Sequence, residues 1–262
     1  MTDRFAAADG GLLAAGVAYN AVFALIPVAL LATGLAGLLL TDPQRRADVV
    51  LAIAAALPPL TPVVDEIVGG LSKASPSVSI VGLVLAGWGT SRLFSALESA
   101  IVQLDMQGPP RSLARRTARR LGAIAVLAGV VIAAVLLAPA LAVAAEMSGA
   151  TGPARQLFDL LLAFLPPLLV AGALTAIYRV VPRARPSWRA IRLPVVAGTI
   201  ALVLLTRVFV FVAPRLFGSN LIYGTLGAIL VSLTWLDLAF TVVLIGAAWV
   251  RERATLSEAV VV

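Results

Sequence analysis

Residues 216–250 read LFGSNLIYGTLGAILVSLTWLDLAFTVVLIGAAWV, and Asp237 is the only charged side chain in this stretch. A helix needs about 20 predominantly apolar residues to cross the hydrocarbon core of a bilayer, so the stretch is long enough to span a membrane. It therefore predicts a transmembrane helix over 223–250. The helix would carry a carboxylate deep inside it, and such a group needs a partner or a task.

The composition of the whole chain supports a membrane location. Of its 262 residues, 61% are hydrophobic and 13% are charged, whereas about 25% are charged in a typical soluble domain. The mean hydropathy is +1.03, and the apolar residues come in blocks. We therefore predict one integral membrane domain over 1–262.

The absence of cysteine and histidine limits the chemistry of the chain. Disulfides, thiolate or imidazole metal sites and hydrolase centres that use Cys-His or Ser-His are excluded. A magnesium site made only of carboxylates stays open, although the acids are few and scattered. We expect no cofactor and no enzymatic activity.

Six runs of sufficient apolar length predict an all-α, polytopic helical bundle with spans at 12–40, 78–104, 121–145, 157–178, 194–213 and 223–250. A further uncharged stretch, 49–64, is short for a crossing, and Pro58 and Pro59 break it. Residues 42–77 are therefore predicted to form an external helical hairpin at the outer surface. The tail after Arg253 is expected to fray.

The distribution of basic residues predicts the orientation. With both termini cytoplasmic, 13 Lys and Arg residues fall inside and 5 outside, as the positive-inside rule requires. Two cytoplasmic clusters stand out, comprising Arg115, Arg116, Arg119 and Arg120, and Arg183, Arg185 and Arg189. Anionic lipid headgroups are their expected partners, and nucleic acid is not. Topology alone would explain the clusters, and gathering an anionic substrate is the alternative.

Three charges are predicted to share one depth in the membrane. At 1.5 Å per residue, Arg92, Arg207 and Asp237 each lie about 20 Å from the predicted cytoplasmic surface. Two arginines against one aspartate would favour a bound anion, because guanidinium groups bind phosphate in a bidentate way. The alternatives are a structural Arg207–Asp237 pair and an Arg207 side chain that extends outward to the interface.

Further polar residues and prolines are candidates for a path through the bundle. Ser95 and Glu98 lie on a polar stripe of the second span, which should face inward to a groove or to interhelical hydrogen bonds, and Asn20 could add a polar group from the first. Pro27, Pro166 and Pro167 interrupt helical hydrogen bonding and are expected to kink their helices near mid-membrane. Kinks of this kind are typical of transporters, but prolines are also common in membrane helices.

Four motifs resemble the YihY/BrkB family of bacterial inner-membrane proteins. They are AAGVAYNAVFALIP at 14–27, WGTSRLFSAL at 88–97, YRVVP at 178–182 and FGSNLIYGTLGAILVSLTWL at 217–236. The resemblance implies a six-helix protein of the bacterial inner membrane that serves in transport or envelope maintenance. The family also carries a label as a tRNA-processing ribonuclease, and the lack of histidine speaks against a zinc-dependent nuclease.

The chain departs from the family pattern at two positions. Asp237 stands where the family usually has an aromatic residue, and Ala248 stands where it often has glutamate. We expect a transporter, flippase or exporter of an anionic amphiphile or phosphorylated solute. The alternative is a membrane scaffold whose intramembrane charges form closed pairs, and a homo-oligomer is compatible with either.

Overall fold

The computed structural model describes residues 2–39, 77–104, 152–182, 186–217 and 224–259, together with residues 141 and 149. Within these ranges the secondary structure is helical and contains no strand. The helices are α1 (Thr2–Ala7), α2 (Gly10–Leu39), α3 (Ser77–Leu104), α4 (Pro153–Val180), α5 (Trp188–Phe217) and α6 (Gly224–Ala259). The predicted all-helical fold is confirmed.

Three helical segments of the described residues are long and apolar enough to cross a membrane. They are Pro153–Val180, Trp188–Val212 and Leu230–Thr255, with mean hydropathies of 2.3, 2.4 and 2.0. Gly10–Ala24 in α2 is a shorter apolar helix. Between its two ends, a helix of this length pairs its backbone polar groups internally, as the interior of a bilayer requires. The chain is therefore a membrane protein.

Five of the six predicted spans coincide with described helices, namely α2 to α6. The third predicted span, 121–145, lies outside the described residues apart from residue 141. The predicted external hairpin, 42–77, lies outside them apart from Ser77, where α3 begins.

The expectation that the tail frays after Arg253 is wrong, because α6 continues to Ala259. The residues that follow Val250 read RERATLSEA, in which Arg, Glu, Ala and Leu all have high helix propensity. The end of the apolar run predicts where α6 leaves the membrane. The helix itself continues beyond that point.

Local signals explain the turn between α4 and α5. Helix α4 begins with Pro153 in its first turn, where a missing N–H has little consequence, and it ends two residues before Pro182. Ser187 Oγ accepts a hydrogen bond from the backbone N–H of Ala190 at 3.3 Å, which caps the start of α5. The two helices thus form a hairpin around a short, proline-containing connection.

Helix α6 is the central element of the described bundle. It contacts each of the other five described helices, and α2 packs most extensively on α3. Of its apolar segment, 44% is buried, against 6% for α4 and 11% for α5. The core contains buried side chains from each of the five helices α2, α3, α4, α5 and α6. They include Val17, Phe94, Leu174, Ile191 and Leu244.

Much of this core lies near one end of the bundle, where α4 and α6 end and α5 begins. We call it the basic end, after Arg179, Arg189, Arg251 and Arg253, which lie there. The buried residues of α4 are confined to its last turns, from Leu174 onward. The first half of α4 is largely exposed.

Tyr178 fastens α4 to α6 at this end. Its side chain is 0% exposed, and its hydroxyl donates a hydrogen bond to the carbonyl oxygen of Val243 at 3.0 Å. Gly246 makes room for the ring. A Cβ at Gly246 would overlap the Tyr178 hydroxyl oxygen, whereas one at Gly198 would lie 3.7 Å from it, at ordinary van der Waals distance. The position of α4 against α6 thus depends on a side chain that fills a space left by glycine.

Candidate functional site

Asp237 presents a buried polar atom on α6 that no other described group satisfies. Its Oδ1 is inaccessible to solvent and has no hydrogen-bond partner among the described residues. Trp235, two residues earlier, is 8% exposed, and its buried Nε1 likewise finds no partner in the described ranges. Buried polar atoms are almost always hydrogen-bonded, and a carboxylate inside a membrane costs a few kcal/mol or more. The pair therefore marks this turn of α6 as a candidate functional site.

The apolar surroundings of this turn fix its orientation. Trp235 and Leu236 form a buried cluster with Ala18 and Ala21 of α2. Helix α5 covers the cluster through Leu205. Asp237, the next residue after Leu236, is itself half-buried.

Arg207 faces away from the cluster. Leu205 and Phe209 pack against it, and a residue two positions from each lies about 200° further round the helix. The Arg207 side chain is accordingly exposed. Among the described residues, no ion pair joins Arg207 to Asp237.

Arg92 also lies on an exposed surface. Its guanidinium carbon is 5.1 Å from the centre of the Trp88 ring on the same helix, at a distance where cation–π attraction operates. In the part of the chain that the structure describes, Arg92 forms no ion pair with Asp237 either. The shared depth of the three charges stays a prediction, and direct pairing between them is not seen.

The other predicted polar residues bond within their own helices. Ser95 Oγ donates to the carbonyl oxygen of Ser91 at 2.6 Å, and Asn20 Nδ2 donates to that of Gly16 at 2.8 Å. Bonds of this i−4 type satisfy a polar side chain without a second helix. Glu98, on the same stripe of α3, is half-buried. The stripe turns partly inward, but these two hydrogen bonds do not join helices.

The prolines lie within continuous helices. Helix α2 runs through Pro27, and α4 runs through Pro166 and Pro167. Pro166 is exposed and Pro167 is half-buried, so Pro166 does not face the described core. Kinks at these positions stay predictions, and the helices are not interrupted there.

The basic end contains contacts that sequence reasoning missed. The Arg179 guanidinium lies 4.0 Å from the centre of the Trp188 ring, and Arg253 Nη2 donates to the carbonyl oxygen of Arg189 at 3.4 Å. Of the predicted basic clusters, Arg189 is exposed, whereas residues 115–120, 183 and 185 lie outside the described residues. The sequence offered one signal for the Arg179–Trp188 contact, namely an arginine and a tryptophan on either side of a short segment that contains two prolines.

Carboxylates do not cluster in the described ranges. No group of three or more acidic residues that could hold a metal ion comes together there. The expectations of no cofactor and no enzymatic activity stay predictions.

Comparison with known families places these features in context. Residues 1–259 match the family model described as virulence factor BrkB. The chain belongs to the BrkB family. The match covers nearly all of the chain, so the resemblance carried by the four sequence motifs is confirmed. The BrkB description names no substrate or reaction. Searches of curated proteins and of solved structures found no match to this BrkB protein.

Proposed function

We propose that this protein is a transporter, flippase or exporter that moves an anionic amphiphile or phosphorylated solute across the bacterial inner membrane. In this proposal six helices cross the bilayer, both termini are cytoplasmic, and the chain is not an enzyme. The observation that carries the proposal is the buried Asp237 Oδ1, which has no hydrogen-bond partner in the part of the chain that the structure describes. A charged side chain that destabilises a membrane helix and gains no partner there is best explained by a functional role.

The proposed division of roles follows from charge. Arg92 and Arg207 are exposed on α3 and α5, and their guanidinium groups can contact a phosphate in a bidentate way. Asp237 would repel a phosphate while ionised, so it is assigned the exchange of a proton during transport. The hydroxyl and amide groups of Ser95 and Asn20 are secondary candidates, because their hydrogen bonds within α3 and α2 already satisfy them.

Asp237→Asn tests this role most directly. In reconstituted vesicles we expect the variant to move fluorescent phosphatidylglycerol, or a phosphorylated solute, at least about tenfold more slowly than wild type, because asparagine cannot exchange the proton. Asp159→Asn is the matched control. Its carboxylate is exposed and lies 3.3 Å from Arg155 within α4, so its rate should equal that of wild type. Equal rates for Asp237→Asn and wild type would remove Asp237 from the mechanism.

Arg207→Ala tests the cationic contact in the same vesicles. We expect a reduction in rate of about tenfold, because a bidentate contact to phosphate is lost. Arg215→Ala is the matched control, since Arg215 lies on the same helix and packs on the Phe211 ring. If both variants slow movement equally, the effect is general surface charge and the proposed contact is wrong.

A membrane scaffold is the second candidate, and the observation that favours it is the contact of Tyr178 with Val243. A buried side chain that joins two helices next to glycines is suited to holding a fixed arrangement. The scaffold function predicts that wild type moves no anionic lipid or solute in vesicles. Measurable movement by wild type that Asp237→Asn abolishes would decide against it.

A further inference from the structure

Two arginine side chains at the basic end have buried nitrogen atoms for which the described residues supply no partner. Arg179 Nη1 and Arg253 Nε are both inaccessible to solvent and find no hydrogen-bond acceptor in the part of the chain that the structure describes. A guanidinium group has five N–H donors in a fixed planar arrangement. Leaving a charged donor buried and unsatisfied is strongly unfavourable, so an acceptor that the described residues do not supply would stabilise both side chains.

Both guanidinium groups approach the first turn of α5. Arg179 reaches it from the end of α4 and lies over the Trp188 ring at 4.0 Å. Arg253 reaches it from α6 and donates to the Arg189 carbonyl oxygen at 3.4 Å. The α4–α5 hairpin and the end of α6 therefore bring together two cations that are 74 residues apart in the sequence.

The net charge of this turn is strongly positive. Arg189 and Arg192 lie on the same part of α5, and their side chains are exposed. Glu252, beside Arg253, is the acidic residue next to them in the sequence. Like charges that lie near one another repel, and a bound anion relieves this repulsion. The favourable ligand is one with several acceptor oxygens in a compact tetrahedral group, because such a group can satisfy both guanidinium forks.

The turn also lies at the expected depth for such a group. The apolar segments that could cross the membrane end at Val180, begin at Trp188 and end at Thr255. Trp188 is 53% exposed, and tryptophan is enriched where the hydrocarbon meets the headgroups. The arginines are thus at the level of lipid phosphates.

We propose that Arg179 and Arg253 bind a phosphate group at the basic end, with the Trp188 ring holding Arg179 in place. The chemistry is that of a phosphate monoester or diester, supplied by an anionic lipid headgroup or by a free phosphate compound. The proposal goes beyond the transport function, because binding at this turn requires no movement across the membrane.

Ligand-induced stabilisation of the full chain tests the site. The protein is purified in an uncharged detergent, and its Tm is measured against increasing short-chain phosphatidylglycerol, inorganic phosphate or short-chain phosphatidylcholine. A ligand that binds only the folded state raises Tm in a saturable way, which gives Kd. We expect phosphatidylglycerol to saturate, and Arg179→Gln and Arg253→Gln each to weaken its binding at least about tenfold.

Arg215→Gln is the matched control. Arg215 also lies over an aromatic ring, that of Phe211, but it lies in the last turn of α5, away from the basic end. The Arg215→Gln variant removes the same charge and should leave the Kd for phosphatidylglycerol within about twofold of wild type, since surface arginines act only through screened, long-range attraction. If Arg179→Gln fails to fold, Arg253→Gln decides the question, because Arg253 lies beyond the main core in the last part of α6.

The three ligands distinguish the sources of phosphate. Tight binding of phosphatidylglycerol alone identifies a lipid headgroup, and equally tight binding of inorganic phosphate identifies a free phosphate compound. Wild-type binding in both glutamine variants, or an equal loss in Arg215→Gln, would overturn the site. If the transport proposal fails, the conclusion from this binding experiment still stands, because the detergent assay measures no movement across a membrane. For the same reason, Asp237→Asn should bind phosphatidylglycerol like wild type.

Discussion

Replacing Gly246 by alanine is expected to lower the free energy of unfolding by about 2–3 kcal/mol. The new Cβ would lie 2.8 Å from the Cζ of Tyr178 and would overlap its hydroxyl oxygen. Tyr178 is fully buried, so its ring cannot move aside without opening the contact between α4 and α6. Unfolding by SDS titration in mixed micelles would measure the loss.

A second glycine provides the control for this prediction. Gly172 also lies inside a helix, α4, but a Cβ there would meet no atom within 4 Å. Gly172→Ala should therefore be neutral or stabilise the fold by up to about 1 kcal/mol, because alanine restricts the unfolded chain. Tyr178→Phe removes the atom that Gly246→Ala would overlap, so the double variant should lose less than the sum of the two single variants. Full additivity would show that the two residues do not share one space.

Replacing Asp237 by leucine is expected to raise the free energy of unfolding by about 2–3 kcal/mol while abolishing transport. The carboxylate has a buried oxygen that no described residue satisfies, and aspartate at the centre of a membrane helix costs about this amount relative to an apolar residue. A gain in stability with a loss of activity is typical of functional residues that strain the fold. SDS unfolding and the vesicle assay on the same preparation would measure both.

A lower free energy of unfolding for Asp237→Leu would instead identify a structural role for Asp237. If Asp237 stabilises the bundle through a charge partner, leucine should destabilise it by about 3–5 kcal/mol, because the partner would be left buried and unpaired. Asp159→Leu is the control for a lost surface pair. Its ion pair with Arg155 has side chains 49% and 57% exposed, and exposed pairs of this kind contribute about 0.5 kcal/mol or less.

The apolar runs predicted the helices because a membrane span needs a fixed length of apolar side chains, and length can be counted. The helix ends were predicted less well, as α6 demonstrates by continuing to Ala259. Beyond the membrane surface, capping and helix propensity determine where a helix stops.

Counting residues predicts a depth for Arg207 and Asp237 but not the direction in which each side chain points. Direction depends on the rotation of each helix. An amphipathic pattern reveals that rotation in soluble helices, whereas α5 and α6 are apolar on most faces. The contacts of Leu205 and Phe209 with the α2–α6 cluster set the rotation of α5 and turn Arg207 outward.

The role of Tyr178 could not be predicted, because its partners Val243 and Gly246 lie more than 60 residues away in the sequence. The YRVVP motif marked the residue without indicating its contact. The Arg179–Trp188 contact was easier to anticipate, since the two residues are only nine positions apart in the sequence.

The central position of α6 has a consequence for the biogenesis of the protein. Helix α6 follows the other described helices in the chain, so the ribosome makes those five before the element that contacts each of them. Neighbouring helices such as α4 and α5 can associate soon after they are made. Their surfaces that contact α6 stay without this partner until α6 is made, and quality-control proteases can recognise such surfaces during this interval.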